Sequence, residues 1–95
     1  MPHYCYILYS KSLDRFYTGE SSDIEQRLQY HNLGFSGFTS KASDWELYLL
    51  IECADRPMAR KIEKHIKSMK SVKYIKSLRS DDDLIAKLKS KYTVP

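Results

Sequence analysis

Two short runs limit what this chain can fold into. Tyr4–Tyr9 (YCYILY) and Trp45–Cys53 (WELYLLIEC) are built largely from aromatic, β-branched and apolar residues, the types that favour strands. Neither can span a bilayer, because both are far shorter than the ~20 apolar residues a membrane helix needs. A chain of 95 residues has room for one domain and little for a second core, so both runs must share a single sheet. Arg15–Gly19 (RFYTG) can return as a third strand after the polar connection Ser10–Asp14. With 42% apolar residues, 3 Gly and 3 Pro, disordered, collagen-like and low-complexity classes are excluded.

Helices are expected around this sheet. Ser22-x-x-Glu25 reads as a capping box opening a helix that ends near Asn32 or Leu33, with Gly34 as its stop. At 100° per residue, Ile24, Arg27, Leu28 and His31 share one face, so an arginine and a histidine stand beside residues that must touch the sheet. Phe35–Asp44 reads as a mobile loop of small residues carrying Lys41. Asp55 caps a second helix with Pro57 in its first turn and Met58, Ile62, Ile66 and Met69 as its apolar stripe. His65 falls on that stripe and reads as a packed, structural histidine. Lysines at 61, 64, 67, 70, 73 and 76 would wind right around one continuous helix. The apolar set also changes phase after Met69, so a break near Ser71 is expected. Ser80-x-x-Asp83 is a further capping box, starting a last helix over about 81–91. The expected fold class is therefore α+β: a small three-stranded antiparallel sheet flanked by helices, in the order β-β-α-β-α-α, within one domain over 1–95.

Charge is segregated along the chain. Residues 1–55 carry four basic and eight acidic side chains, whereas 56–79 carry nine basic ones and a single acid, Glu63. A phosphate-rich partner is the simplest thing for such a segment to meet; a solvated lysine face is the plainer alternative. The start of the chain lacks the pattern of a signal peptide. Cys5 and Cys53, in apolar surroundings without metal-like spacing, read as buried thiols. A cytoplasmic location is the expectation.

No phosphate-binding glycine loop, nucleophile elbow or zinc set is present. What stands out is a sequence of elements: Tyr4-Cys5-Tyr6, then Tyr17-Thr18-Gly19, then Asp23-x-x-x-Arg27-x-x-x-His31, then Ala59-x-x-x-Glu63-Lys64-x-Ile66-Lys67. Over about residues 3–79 this pattern resembles the GIY-YIG nuclease superfamily, most closely its small standalone bacterial members. Tyr4 occupies the place of the first glycine of the motif, Thr18 replaces the isoleucine of its second half, and Ile62 stands where an arginine often precedes the glutamate.

The resemblance implies a Mg²⁺-dependent endonuclease, with Mn²⁺ as a substitute, acting on DNA or structured nucleic acid by a one-metal route. Glu63 would hold the metal, since a lone carboxylate suits an ion that keeps several waters and shares phosphate oxygens; its plainer role is an i,i+4 pair with Lys67. Arg27 offers a planar cationic fork to a phosphate oxygen or a bridge to Asp23. Tyr6 and Tyr17, with His31, would position and deprotonate water, unless they are ordinary packing residues. Lys41, Lys64, Lys67, Lys70 and Lys73 would track the nucleic-acid backbone. The competing readings are a non-catalytic nucleic-acid-binding module on the same lysine-rich helices and an adaptor docking an acidic protein. A homodimer or a targeting partner is compatible with either function on nucleic acid.

Overall fold

The structure, a computed structural model, describes residues 2–35 and 37–93. Strands β1 (His3–Ser10), β2 (Arg15–Ser21) and β3 (Trp45–Cys53) form an antiparallel sheet in the order β2-β1-β3. Helix α1 (Ile24–Asn32) lies between β2 and β3, and α2 (Arg56–Met69), α3 (Val72–Ser80) and α4 (Asp82–Tyr92) follow. The α+β class and the strand–helix order expected from sequence are those of the molecule.

Alternation along β1 divides the sheet into two apolar faces. Cys5 and Ile7 point with Ile51 and Cys53 into a core closed by Met58, Ala59, Ile62 and Ile66 of α2, Leu78 of α3 and Leu88 of α4. Tyr6 and Leu8 point the other way, against Trp45, with Ile24 and Leu28 of α1 packed over them. Each large apolar side chain buried in this way stabilises by about 1.5–3 kcal/mol. Both cysteines are free and buried, and burial pushes both thiols up from their ordinary range.

β3 forms an outer edge of the sheet and carries an irregularity. Ile7 pairs with Leu49 but Leu8 pairs with Leu47, so Tyr48 is an extra residue in a β-bulge. The side chains of Leu47 and Leu50 are both 42% exposed.

The helix boundaries correct two expected caps. At α1 the cap is Asp23, whose carboxylate accepts from the Gln26 amide at 3.0 Å, and not Ser22. At α4 it is Asp81, accepting from the amides of Asp83 and Leu84, whereas the Ser80 hydroxyl turns back to the Lys76 carbonyl. In both cases an aspartate follows the serine, and a charged acceptor gains more from the helix N-terminus than a hydroxyl does. Asp55 caps α2 as expected. Gly34, at φ +81°, follows the C-cap of α1. The expected break is an elbow: Lys70 is left-handed at φ 48°, and the Ser71 hydroxyl caps α3 by accepting from Tyr74. Met69, at the elbow, is 44% exposed and so does not join the apolar stripe. His65 is structural, its ring nitrogens at hydrogen-bonding distance from the hydroxyls of Tyr92 (3.0 Å) and Tyr74 (3.1 Å). No helix among the described residues is long and apolar enough to cross a membrane.

The segment expected to be a mobile loop contains a built turn, a 3-10 helix over Thr39–Lys41. Asn32 clamps its exit: the side-chain amide donates to the Trp45 carbonyl (3.0 Å), and its oxygen accepts from the Trp45 amide (2.8 Å). The Trp45 indole donates to the Thr39 carbonyl (2.9 Å).

Candidate active site

On the α1 side of the sheet, Tyr6 stands opposite Gly19 in the β1–β2 register. A Cβ at Gly19 would lie 2.5 Å from the Tyr6 hydroxyl, so the missing side chain is what makes room for the phenol. The hydroxyl lies 2.8 Å from His31 Nε2, and His31 Nδ1 lies 2.7 Å from the Thr39 hydroxyl. Both Tyr6 and His31 are 2% exposed. Burial, foremost, and the neighbouring Tyr17 raise the Tyr6 phenol well above its usual range. Burial and then the Arg27 charge lower the His31 imidazole. A phenol that keeps its proton donates it to Nε2 of a neutral imidazole, which leaves Nδ1–H to donate to Thr39.

Tyr17 sits half-buried on the outer strand β2, its ring 4.8 Å from that of His31 and 6.5 Å from that of Tyr6. The Lys67 ammonium of α2 lies 5.7 Å from the Tyr17 ring centre and 2.7 Å from a Glu63 carboxylate oxygen. Glu63, on α2, is therefore linked to the Tyr17 ring through the Lys67 ammonium. The i,i+4 pair weighed from sequence is present, but such pairs are worth only about 0.3–0.5 kcal/mol on a helix surface. Glu20, the one carboxylate on β2, is engaged by His3 and by Arg56. Arg27 does not bridge to Asp23 by its side chain; its guanidinium lies over the Tyr30 ring at 5.1 Å.

Tyr6, Tyr17 and His31 thus form one cluster across β1, β2 and α1, and Arg27 of α1 and Glu63 of α2 lie near enough for their charges to act on Tyr6. The lysines divide. Lys64 and Lys67 line a cavity of about 370 Å³ with Arg60, Lys61 and Glu63, and Lys67 and Lys70 line an adjoining groove of about 410 Å³. Lys41 lies 5.8 Å from the ring centre of Phe38, which itself lines that groove. Lys73 lines neither. A further cavity of about 530 Å³, between the start of α2 and the end of α4, contains none of these five residues. Among the described residues no three of His, Cys, Asp and Glu are grouped so as to hold a metal ion.

Sequence reasoning misses Thr39 and Asn32, and it reads Gly19 as a strand end and a motif residue without its steric role beside Tyr6. No spacing ties Thr39 to His31.

The histidine burial has a stability consequence. Both His31 and His65 are lowered in the folded protein, each chiefly by burial, so the unfolded chain binds more protons as pH falls through about 6.5. Stability is fully present above that value and declines as pH drops from about 6.5 toward the folded-state values. Thermal melts at about pH 7.5 and about pH 5.5, on either side of that value, should show the lower midpoint in the acid sample, and His31→Gln should reduce the gap. Equal midpoints for the parent protein would contradict neutral burial of these rings.

A family model described as the GIY-YIG catalytic domain matches residues 2–75 of this chain. No curated protein and no solved structure matches it.

Proposed function

The chain belongs to the GIY-YIG catalytic-domain family, a family of nuclease domains, and from that premise we propose that it is a Mg²⁺-dependent endonuclease cutting DNA at the Tyr6–His31–Tyr17–Glu63 cluster. The observation that carries this reading is the buried Tyr6–His31 hydrogen bond, 2.8 Å long, set beside Tyr17, with Glu63 joined to that tyrosine through Lys67.

Glu63 is the residue that would hold the ion. A single carboxylate fits Mg²⁺, which keeps waters and takes other oxygens from a phosphate, better than it fits ions that need a closed protein cage. When bound, Mg²⁺ supplies charge neutralisation on the phosphate oxygens and acidifies water. Glu63 can exchange its weak pair with Lys67 for such an ion, which frees the Lys67 ammonium for a backbone phosphate. Arg27 presents a fork to a non-bridging oxygen. Tyr17, on the open edge, orients the attacking water. Tyr6 is too strongly held in its neutral form to act as a standing phenolate. It works instead as a relay: the water proton reaches the Tyr6 oxygen while the phenol's own proton passes to His31 Nε2. Depression of the His31 pKa keeps the imidazole ready to accept at neutral pH. The water oxygen bonds to phosphorus, the bond to the leaving sugar oxygen breaks, and that oxygen takes a proton from solvent.

Incubation with supercoiled DNA in Mg²⁺, Mn²⁺ or chelator tests the proposal. Metal-dependent nicking is expected, with Tyr17→Phe about 10²-fold slower. DNA binding in chelator without cutting in either metal would replace the nuclease reading by a binding module, whose affinity would fall steeply with salt.

A further inference from the structure

Beside the proposed cleavage site lies the groove of about 410 Å³, within the size range of ligand clefts. Its lining is unlike a surface meant only for phosphates. Phe38 and Tyr17 supply aromatic walls, their rings 6.3 Å apart and 21° from parallel. Ile66 of α2 with Val72 and Ile75 of α3 supplies an apolar floor, brought together by the left-handed elbow at Lys70.

Large apolar groups stay open to solvent here: Phe38 is 43% exposed and Val72 is 53% exposed. Phe38 is also positioned by a braced segment. Thr39 is held by His31 and by the Trp45 indole, and the Ser40 hydroxyl donates to the Gly37 carbonyl at 2.7 Å. The rim is cationic, with Arg15, Lys67 and Lys70. The one acid on it, Asp14, accepts a hydrogen bond from the Tyr9 hydroxyl.

An apolar, aromatic slot ringed by cations complements a nucleotide whose base has left its partner. In a duplex the base faces are stacked on neighbouring pairs, and only base edges and phosphates are accessible. An unpaired base offers its face to aromatic side chains while its phosphates meet lysine and arginine. Resting on the nuclease reading above, we infer that this groove receives an unpaired nucleobase next to the bond being cut, so that the substrate class is nucleic acid with a bulge, gap or flap and not perfect duplex. Tyr17 and Lys67 belong to both groove and cleavage site, which couples occupancy of one to positioning in the other.

The test uses two oligonucleotides of equal length, one fully paired and one with a single bulged 2-aminopurine, titrated in chelator at one salt concentration. Wild type should bind the bulged strand about 10-fold more tightly and quench the 2-aminopurine, as stacking of one base on an aromatic ring supplies that much. Phe38→Ala and, independently, Val72→Asp should bring the ratio of the two affinities close to one and abolish quenching; both positions are exposed, and circular dichroism checks the fold. Equal affinities for wild type, or a ratio and quenching retained in Phe38→Ala, would overturn the inference. Metal-dependent nicking without a preference for the bulge removes the groove inference alone, whereas failure to bind either oligonucleotide removes it together with the nuclease reading.

Discussion

Glu63→Gln is expected to lower Mg²⁺-dependent nicking by about 10³-fold or more while the protein stays folded. The amide keeps the size of the side chain but removes the charge, and Glu63 is the lone acid among nine basic residues over 56–79. Stability should barely move. The only ion pair lost is the one to Lys67 on a helix surface, worth about 0.3–0.5 kcal/mol, which for a domain of this size is a midpoint shift of at most ~4 °C. DNA affinity in chelator should hold or rise, because a negative charge leaves and the Lys67 ammonium is released. Nicking assays and fluorescence anisotropy read the two effects separately. Cleavage that persists in folded Glu63→Gln would sink the metal assignment.

Gly19→Ala carries the second large effect, and here fold and chemistry fail together. The added methyl would lie 2.5 Å from the Tyr6 hydroxyl and 2.6 Å from the ring carbon bearing it. Tyr6 is a rigid, buried ring, so it cannot yield by swinging into solvent; it must leave its contact with His31. Overpacking of this kind costs about 1–3 kcal/mol, and a buried hydrogen bond lost with it adds about 1–3 kcal/mol. A combined loss of roughly 2–6 kcal/mol lowers the melting midpoint by ~10 °C or more. Below that midpoint the displaced phenol should still slow nicking by about 10²-fold. A Gly19→Ala protein that melts with wild type would show that the Tyr6 pocket has slack the structure does not show.

Much of this is legible in the order of residue types. Aromatic and β-branched runs mark β1 and β3, the phase change after Met69 marks the elbow at Lys70, and the spacing of Arg27 and His31 places both on the sheet-facing side of α1. Capping is read less well. Ser22 and Ser80 fit the capping-box pattern, but the neighbouring aspartates compete with them, and pattern alone does not weigh a carboxylate against a hydroxyl. The site is legible as a set of side chains and illegible as a network. That Thr39 meets His31 depends on a turn fixed by Asn32 and Trp45, contacts between segments that no local periodicity encodes. Nor does spacing reveal that Lys67 stands between Glu63 and Tyr17, since that depends on how α2 packs against β2.

The doubled residue at Tyr48 has a consequence for how such a protein behaves in company. Molecules gathered along a polyanion are crowded side by side, and an open sheet edge is the surface on which crowded chains zip into one another. β3 is such an edge, and it bears the half-open Leu47 and Leu50. The bulge breaks its rhythm midway, so a second chain laid alongside falls out of step after a few residues. Straightening β3 by deleting Tyr48 would therefore make this edge more adhesive to its own kind, most visibly where the protein is most concentrated.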